Sequence, residues 1–168
     1  TWCYDLQMHF LQMRAQQRRL GKSGDGSYVK DRSLPEDLLV FCNQFHADGL
    51  LTDDELDNLI TQFQTVNRQL PSSDLIILLH GSPSLAWERI QQRGREMELE
   101  GGWQFTEINN LNHWYKAYGS NVVKLGFHNG PVLEIDVEKL DLTNRIHVGY
   151  IFERILEILQ AQDGNGKI

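Results

Sequence analysis

The residues Leu75-Ile76-Ile77-Leu78-Leu79 form a continuous apolar run bounded by turn-forming residues. Such a run predicts a strand that is buried on both faces of a parallel sheet. A further strand is predicted at 132–135, ending at Asp136, and a short one at Tyr28-Val29-Lys30. Long segments with a helical spacing of apolar residues separate these strands. The alternation predicts an α/β fold, in which helices flank a parallel sheet to give three layers.

Helix boundaries are predicted from capping residues and breakers. Ser33 and Thr52 each precede an apolar periodic segment, as N-capping residues do, and Glu55 completes a capping box with Thr52. We expect a loop at 96–103, a frayed tail at 162–168 and a single domain over 1–168. The helices are predicted at 2–20, from Ser33 to about Phe45, from Thr52 to before Pro71, from Ser84 through the arginines that follow, at 104–118 and at about 143–161.

Composition narrows the class of protein. The chain has 168 residues, of which 40% are hydrophobic and 23% charged, with a net charge of -7. An acidic chain is a poor general binder of nucleic acid, because phosphate affinity needs an excess of Lys and Arg. The longest apolar run is too short to cross a membrane. The two cysteines, Cys3 and Cys42, form no disulfide framework, so we expect a reducing compartment, the cytoplasm or alternatively the mitochondrion.

Two motif fragments are rejected. Gly21-Lys22-Ser23 looks like the end of a P-loop, but Gln16 stands where that motif needs its first glycine. The segment 48–55 resembles the end of a calcium loop, yet Gln44 and His46 occupy the positions of its first oxygen ligands. The histidines are scattered, so no metal site is expected.

The segment 87–98 (WERIQQRGREME) concentrates positive charge in an acidic chain. Arg89 and Arg93 are four residues apart and therefore share a helix face, while Gly94 ends the helix before Arg95. Several guanidinium groups directed to one point suit a polyanion such as a nucleotide triphosphate. A solvated helix face is the alternative interpretation.

A second set of residues suits a nucleoside. Asp31-Arg32-Ser33 is predicted to follow a strand and open a helix, where an acid and an arginine can hold a phosphate or orient a hydroxyl group; a structural ion pair with a helix cap is the alternative. Asp37 and Phe41 share a helix face, as do Gln7 and Arg14. Gln, Arg and Asp can read base edges and Phe can stack on a base, although core packing is the alternative for Phe41.

Taken together, these segments resemble the deoxyribonucleoside kinase family along nearly the whole chain. The segment Trp2 to Arg14 is similar to the family's base-reading helix, and Asp31-Arg32-Ser33 to its acid-Arg-Ser motif. Leu111-Asn112 and Tyr115 are similar to the helix after the lid. The resemblance implies catalytic roles for Asp31, Arg32, Arg89, Arg93 and Arg95. It implies substrate binding by Gln7, Arg14, Asp37, Phe41 and Glu98, with Glu98 at the sugar 3′-hydroxyl. It also implies binding of ATP by the three lid arginines, Arg89, Arg93 and Arg95, together with Asp141 and Leu142.

The resemblance also implies a reaction. The expected activity is transfer of the γ-phosphoryl group of ATP, with Mg²⁺, to the 5′-hydroxyl of a deoxynucleoside, a purine one or deoxycytidine. The family usually forms homodimers, and the stretch from Gln7 to Arg14 is more similar to its bacterial branch. No nucleic-acid or membrane partner is expected.

Departures from the family pattern leave other functions open. The lid, 95–103, contains Gly101-Gly102-Trp103 beyond the usual length, and Glu107 stands where an aromatic residue is usual. The family's P-loop and general base would precede Trp2, so we expect no turnover by these residues alone. The chain is then a fragment of a larger kinase, a catalytically inactive structural subunit, or a nucleotide sensor.

Overall fold

The computed structural model describes residues 1–22, 26–100 and 104–165. The chain divides into two compact units: unit 1 contains residues 1–72 and 113–129, and unit 2 contains residues 73–112 and 130–168. In chain order the elements are α1 (Trp2–Lys22), α2 (Leu34–Glu36), a π-helical segment (Asp37–Cys42), α3 (Asn43–Ala47), α4 (Asp53–Arg68), β1 (Ile76–His80), α5 (Pro83–Arg93), α6 (Glu96–Leu99), α7 (Phe105–Lys124), β2 (Val132–Asp136) and α8 (Arg145–Asn165).

Unit 1 is built from helices around an apolar core. Leu59 and Phe63 are one turn apart on α4 and are both fully buried. Burial of a Leu or Phe side chain stabilises a fold by roughly 1.5–3 kcal/mol, so this pair anchors α4. Most other side chains of this core come from α1, from the helical segments between Leu34 and Cys42, and from α7. They include Cys3, Leu11, Leu34, Leu38, Val40, Cys42, Tyr118 and Val122.

Two helices in unit 1 begin at the predicted capping residues. The Ser33 hydroxyl accepts a hydrogen bond from the Glu36 backbone N–H, and the Glu36 carboxylate accepts one from the Ser33 N–H, each at 3.2 Å. Thr52 and Glu55 form the same reciprocal capping box at the start of α4. Because these bonds satisfy N–H groups that have no intrahelical partner, both helix starts are fixed by local sequence.

Unit 2 contains the parallel sheet. β1 pairs with β2 in parallel, with Ile76 opposite Val132 and His80 opposite Asp136. This confirms the predicted α/β class and its two longer strands. The prediction that β1 is buried on both faces is wrong for these residues: Leu78 is buried, but Leu79 is half exposed. Each strand of this sheet has a neighbouring strand on one side only in the described residues, so both are edge strands.

The strand predicted at Tyr28-Val29-Lys30 is absent, and residues 27–30 have no regular secondary structure. Val29 is 91% exposed, so its apolar side chain is not buried against any neighbour. A strand needs a neighbour and a half-buried face to be stable, and this segment has no pairing partner in the described part of the chain. Asp31-Arg32-Ser33 therefore follows a loop.

Other boundaries differ from the predicted ones. α5 is capped by Ser82 rather than Ser84, with Pro83 as its first residue. Residues 96–99, predicted as loop, form α6, whose first turn carries Glu96 and Glu98; carboxylates stabilise a helix N-terminus. α8 continues to 165, past the expected start of the tail, and Gln162 Nε2 donates to the Asp74 carbonyl oxygen at 3.0 Å within this extension. The lid residues 101–103, Ser23 and the tail residues 166–168 lie outside the described residues.

The helices range in length from three residues in α2 to 21 residues in α1 and α8. Among those described, none combines the length and the apolar content that crossing a bilayer requires.

Candidate functional site

The loop that ends in Asp31-Arg32-Ser33 holds an unusual backbone conformation. Arg32 has a φ of 62°, the left-handed region that residues other than glycine rarely adopt. Ser33 fixes the next position, since its hydroxyl caps α2 and also lies 2.7 Å from the Tyr118 hydroxyl. Strain of this kind persists where the surroundings hold it, and it concentrates at functional sites. Asp31 is exposed beside Arg32.

The Arg32 side chain lies between a carboxylate and an aromatic ring. Its Nη1 is 3.6 Å from Glu36 Oε1, and its guanidinium carbon lies 4.5 Å above the centre of the Phe41 ring. A guanidinium at this distance is attracted to the ring face. Tyr115 contacts the same ring edge-on, with 6.5 Å between ring centres. The face of Phe41 that faces Arg32 is therefore covered in this structure.

Arg14 and Asp37 form a buried ion pair. Arg14 Nε donates to Asp37 Oδ2 at 3.1 Å, and the carboxylate side chain is only 6% exposed. Burial raises the pKa of Asp37 above its usual value, although the adjacent Arg14 acts in the opposite direction. Gln7 is also buried, and its amide oxygen accepts a hydrogen bond from the Cys42 thiol at 3.5 Å. These donors and acceptors are held in fixed positions, as recognition of a base edge requires.

Lys30 supports this region and was not identified from the sequence. Its Nζ donates to the backbone carbonyl oxygen of Arg14 at 3.1 Å. Burial lowers the pKa of Lys30 to about 8, and the positive charges of Arg14 and then Arg18 contribute. The bond ties the loop before Arg32 to the helix that carries Arg14. Its only sequence signal was a lysine inside a short apolar segment.

In unit 2, two arginines converge on one carboxylate. Arg93 forms a bidentate ion pair with Glu98, with Nε–Oε2 and Nη2–Oε1 distances of 3.0 and 2.7 Å. Arg95 Nη1 lies 3.7 Å from the same Glu98 Oε1. Gly94, with a φ of 62°, makes the turn between them. Of the three arginines in the predicted cluster, Arg93 and Arg95 thus share Glu98 as their counter-charge.

Arg89 lies one turn earlier on α5 and is directed elsewhere. Its Nη2 donates to the Val137 carbonyl oxygen at 3.3 Å, just after β2. Further along that segment, Asp141 Oδ1 accepts hydrogen bonds from the backbone N–H and the hydroxyl of Thr143, each at 2.8 Å. These bonds lower the pKa of Asp141. Leu142 is partly exposed beside it.

The candidate residues therefore fall into two sets. In unit 1, Arg14 is joined to Asp37 and Arg32 to Phe41. In unit 2, Arg93 and Arg95 meet at Glu98. Sequence reasoning missed Glu36 as a contact of Arg32, and Tyr115 as a contact of Glu36 and Phe41. The spacing of Ser33 and Glu36, three residues apart, was a visible capping-box signal for Glu36.

Comparison with known proteins identifies the family. A family model described as deoxynucleoside kinase matches residues 1–159. A deoxyadenosine/deoxycytidine kinase of Bacillus subtilis (strain 168) is 32% identical over 146 residues, which cover 85% of this chain and 64% of that protein. The chain thus spans less than two thirds of the length of this curated relative.

Solved structures share the fold. Deoxyadenosine kinase from M. mycoides with bound dCTP has a TM-score of 0.73 at 23% identity, covering 93% of this chain and 74% of that one. The M. mycoides deoxyadenosine kinase with bound dATP has a TM-score of 0.73 at 24% identity, covering 91% and 74%. The likeness assigns the chain to the P-loop kinase-like α/β fold. Because the family match extends over nearly all of its residues, the chain belongs to the deoxynucleoside kinase family.

Proposed function

We propose that the protein transfers the γ-phosphoryl group of ATP to the 5′-hydroxyl of a deoxynucleoside. The observation that carries this proposal is the arrangement in unit 1, where Arg14 pairs with the buried Asp37 and Arg32 lies over Phe41. The pair offers donors and acceptors to a base edge, and the ring offers a stacking surface. Membership of the deoxynucleoside kinase family supports the same reaction.

The 5′-hydroxyl end of the deoxynucleoside, which accepts the phosphoryl group, is assigned to the loop 31–33. In this proposal a base that stacks on Phe41 displaces Arg32 from the ring, while Arg32 keeps its pairing with Glu36. Its guanidinium then holds the 5′-hydroxyl and phosphate end. Asp31, which is exposed on the same loop, faces solvent where a substrate can approach. Gln7 completes the base-binding set with Arg14 and Asp37.

The phosphates of ATP are assigned to Arg89, Arg93 and Arg95. Phosphate oxygens present the same bidentate acceptor geometry to a guanidinium as the Glu98 carboxylate does. If Glu98 turns to the sugar 3′-hydroxyl, Arg93 and Arg95 become free to bind the triphosphate. Arginines placed in this way stabilise the charge that develops on a phosphoryl group in transfer. Asp141 and Leu142 are assigned to the adenine of ATP.

Mg²⁺ is the metal that the family implies. In the part of the chain that the structure describes, no group of three or more His, Cys, Asp or Glu side chains could hold a metal ion. These residues do not form a metal site by themselves, so no step is assigned to the ion. In nucleotide sites Mg²⁺ is held by one or two carboxylates together with phosphate oxygens, whose charge it neutralises.

The substrate class is proposed to be purine deoxynucleosides or deoxycytidine, rather than thymidine. The paired arginine and aspartate support this choice, as does the B. subtilis relative, whose name is deoxyadenosine/deoxycytidine kinase.

We place the reaction in nucleotide salvage, and we propose that the protein is a cytoplasmic homodimer. The two described cysteines are free and buried, which agrees with a reducing compartment. Sedimentation of the full-length protein distinguishes a dimer from a monomer.

The test is phosphorylation of the four deoxynucleosides by the full-length protein with ATP and Mg²⁺. Deoxyadenosine, deoxyguanosine or deoxycytidine is expected to be phosphorylated with a higher kcat/KM than thymidine. Arg93→Ala should lower kcat by about 100-fold, the scale of losing one donor to a transition-state oxyanion. Arg154→Ala, which breaks an exposed pair with Glu157 on α8, is the matched control and should leave kcat unchanged.

Asp37→Asn tests the base-binding part of the proposal in the same assay. The change keeps the shape of the side chain but replaces an acceptor oxygen with a donor nitrogen. It should therefore alter the ranking of the four nucleosides. An unchanged ranking would remove Asp37 from base recognition, and a wild-type protein inactive on all four would favour the inactive structural subunit.

A further inference from the structure

Arg32 has an environment that the proposed reaction does not by itself explain. Its left-handed backbone places the side chain on a strained loop, and the side chain is 41% exposed. An exposed arginine normally samples many rotamers, and fixing it costs conformational entropy. A guanidinium that must meet phosphate oxygens gains from being held beforehand. The question is which groups hold it.

Glu36 is the charged group that faces Arg32, and its carboxylate is itself fixed at both oxygens. Oε2 accepts the Ser33 backbone N–H at 3.2 Å. Oε1 accepts the Tyr115 hydroxyl at 2.5 Å and lies 3.6 Å from Arg32 Nη1. Glu36 therefore cannot turn toward solvent without losing two hydrogen bonds, and the negative charge beside Arg32 stays in place.

Tyr115 provides the remaining support from α7. Its ring packs edge-on against Phe41, the ring on which Arg32 lies. Burial and then the adjacent Glu36 raise the pKa of the Tyr115 hydroxyl, so it keeps its proton and remains a donor. The residue thus contacts both neighbours of Arg32, the carboxylate through its hydroxyl and the aromatic ring through its edge.

We propose that Glu36 and Tyr115 are positioning residues that hold Arg32 ready for the phosphate end of the substrate. The inference rests on the proposed kinase function. It assigns to both residues a role in the transfer step, which lies beyond the capping of α2 and the packing of α7. Neither touches the reacting atoms, and each acts through the Arg32 guanidinium.

The test is Tyr115→Phe in the full-length protein, since this change removes one oxygen atom and keeps the ring against Phe41. The kcat should fall about tenfold, the loss expected from one hydrogen bond to a charged group. The KM for the nucleoside should change less than about twofold, because the change does not touch the base-binding pair of Arg14 and Asp37. Glu36→Gln should lower kcat similarly, and the double variant should lose less than the product of the two single losses.

Tyr4→Phe is the matched control. The Tyr4 hydroxyl donates to Asn58 Oδ1 at 2.8 Å, and neither residue contacts Arg32. This variant also removes a tyrosine hydroxyl that donates to a side-chain oxygen, and it should keep the wild-type kcat. A fall in kcat equal to that of Tyr115→Phe would mean that any lost hydroxyl has this effect, and the positioning role would be refuted.

A second readout does not depend on activity. Side-chain NMR of ¹⁵N-labelled arginine, assigned with Arg32→Lys, reports rotation of the Arg32 guanidinium. Rotation should be slow in the wild type and faster in Tyr115→Phe. Unchanged rotation, or unchanged kcat in an active kinase, overturns the inference. If the wild type phosphorylates no deoxynucleoside, the proposed function fails, while the NMR comparison still decides whether Tyr115 holds Arg32.

Discussion

Lys30 is a residue whose protonation should be visible in the stability of the protein. Its folded-state pKa is lowered to about 8 from a reference value of 10.5, chiefly by burial. Between these values the unfolded chain binds more protons than the folded one. The free energy of unfolding should therefore rise with pH over this range, relative to a variant without the lysine.

Urea denaturation of the wild type and Lys30→Met from pH 7 to 10.5 measures this difference. The wild type should gain stability relative to the variant as the pH rises above 8, because removing the proton relieves the burial of a charge. Direct NMR titration of the lysine ammonium groups, with Lys30 identified from the variant, should give a midpoint near 8. A midpoint near 10.5 would contradict the burial of this side chain.

Residue type and spacing selected candidate site residues but could not give their contacts. Gln7, Arg14, Asp37 and Phe41 were selected in this way, and their roles stay predictions. The bonds that fix them join residues far apart in sequence, such as Tyr115 and Glu36, which are 79 positions apart. Helical periodicity relates only residues three or four apart, so contacts of this kind require the fold itself.

Two glycines that follow helices allow a test of how the turn after α5 orients the arginine cluster of Arg93 and Arg95. Gly94 follows α5 with a φ of 62°, and Gly126 follows α7 with a φ of 73°. A Cβ at Gly94 would come no closer than 3.9 Å to another atom, and one at Gly126 would have no neighbour within 4 Å. Alanine at either position therefore has a conformational cost only, about 1 kcal/mol.

Both Gly94→Ala and Gly126→Ala should thus lower the free energy of unfolding by about 1 kcal/mol in urea denaturation, the cost of a left-handed alanine. Only Gly94→Ala should also raise the KM for ATP, because Gly94 sets the direction of Arg95 relative to Arg93. Gly126→Ala is the control with the same backbone cost. Equal ATP kinetics in the two variants would mean that the turn at Gly94 does not orient the arginines.

The presence of a helix was predictable where its signal lies within a few neighbouring residues. The capping boxes at Ser33 and Thr52 mark the helix starts because side chain and backbone satisfy each other within four residues. The prediction failed where tertiary context decides. The segment 28–30 has strand-like composition but no neighbour to pair with, and α6 forms in a polar segment whose Glu98 is held by Arg93.

In the molecule as a whole, the alternation of apolar strands and long helices was enough to predict the α/β class. Apolar residues are spaced differently in strands and in helices, so their spacing distinguishes the two. The division into two units was not predicted, because it depends on contacts between segments far apart in the chain, such as 1–72 with 113–129. The units also differ in burial. Unit 1 contains most of the buried apolar side chains, whereas those of unit 2 are Leu78, Ile108, Ile135 and Ile151 among the described residues.

This difference in burial predicts unequal local stability. Helix α4 of unit 1 carries Leu59 and Phe63, both 0% exposed, whereas α8 of unit 2 exposes Tyr150 and Phe152 by 52% and 58%. Elements with few buried apolar contacts open at a lower free energy than the core. Hydrogen exchange of the 168-residue chain, followed by mass spectrometry of peptides from 53–68 and 145–165, should show slower exchange in α4 after correction for intrinsic rates. Equal protection of the two helices would mean that they open only in global unfolding, and the two units would then behave as one cooperative structure.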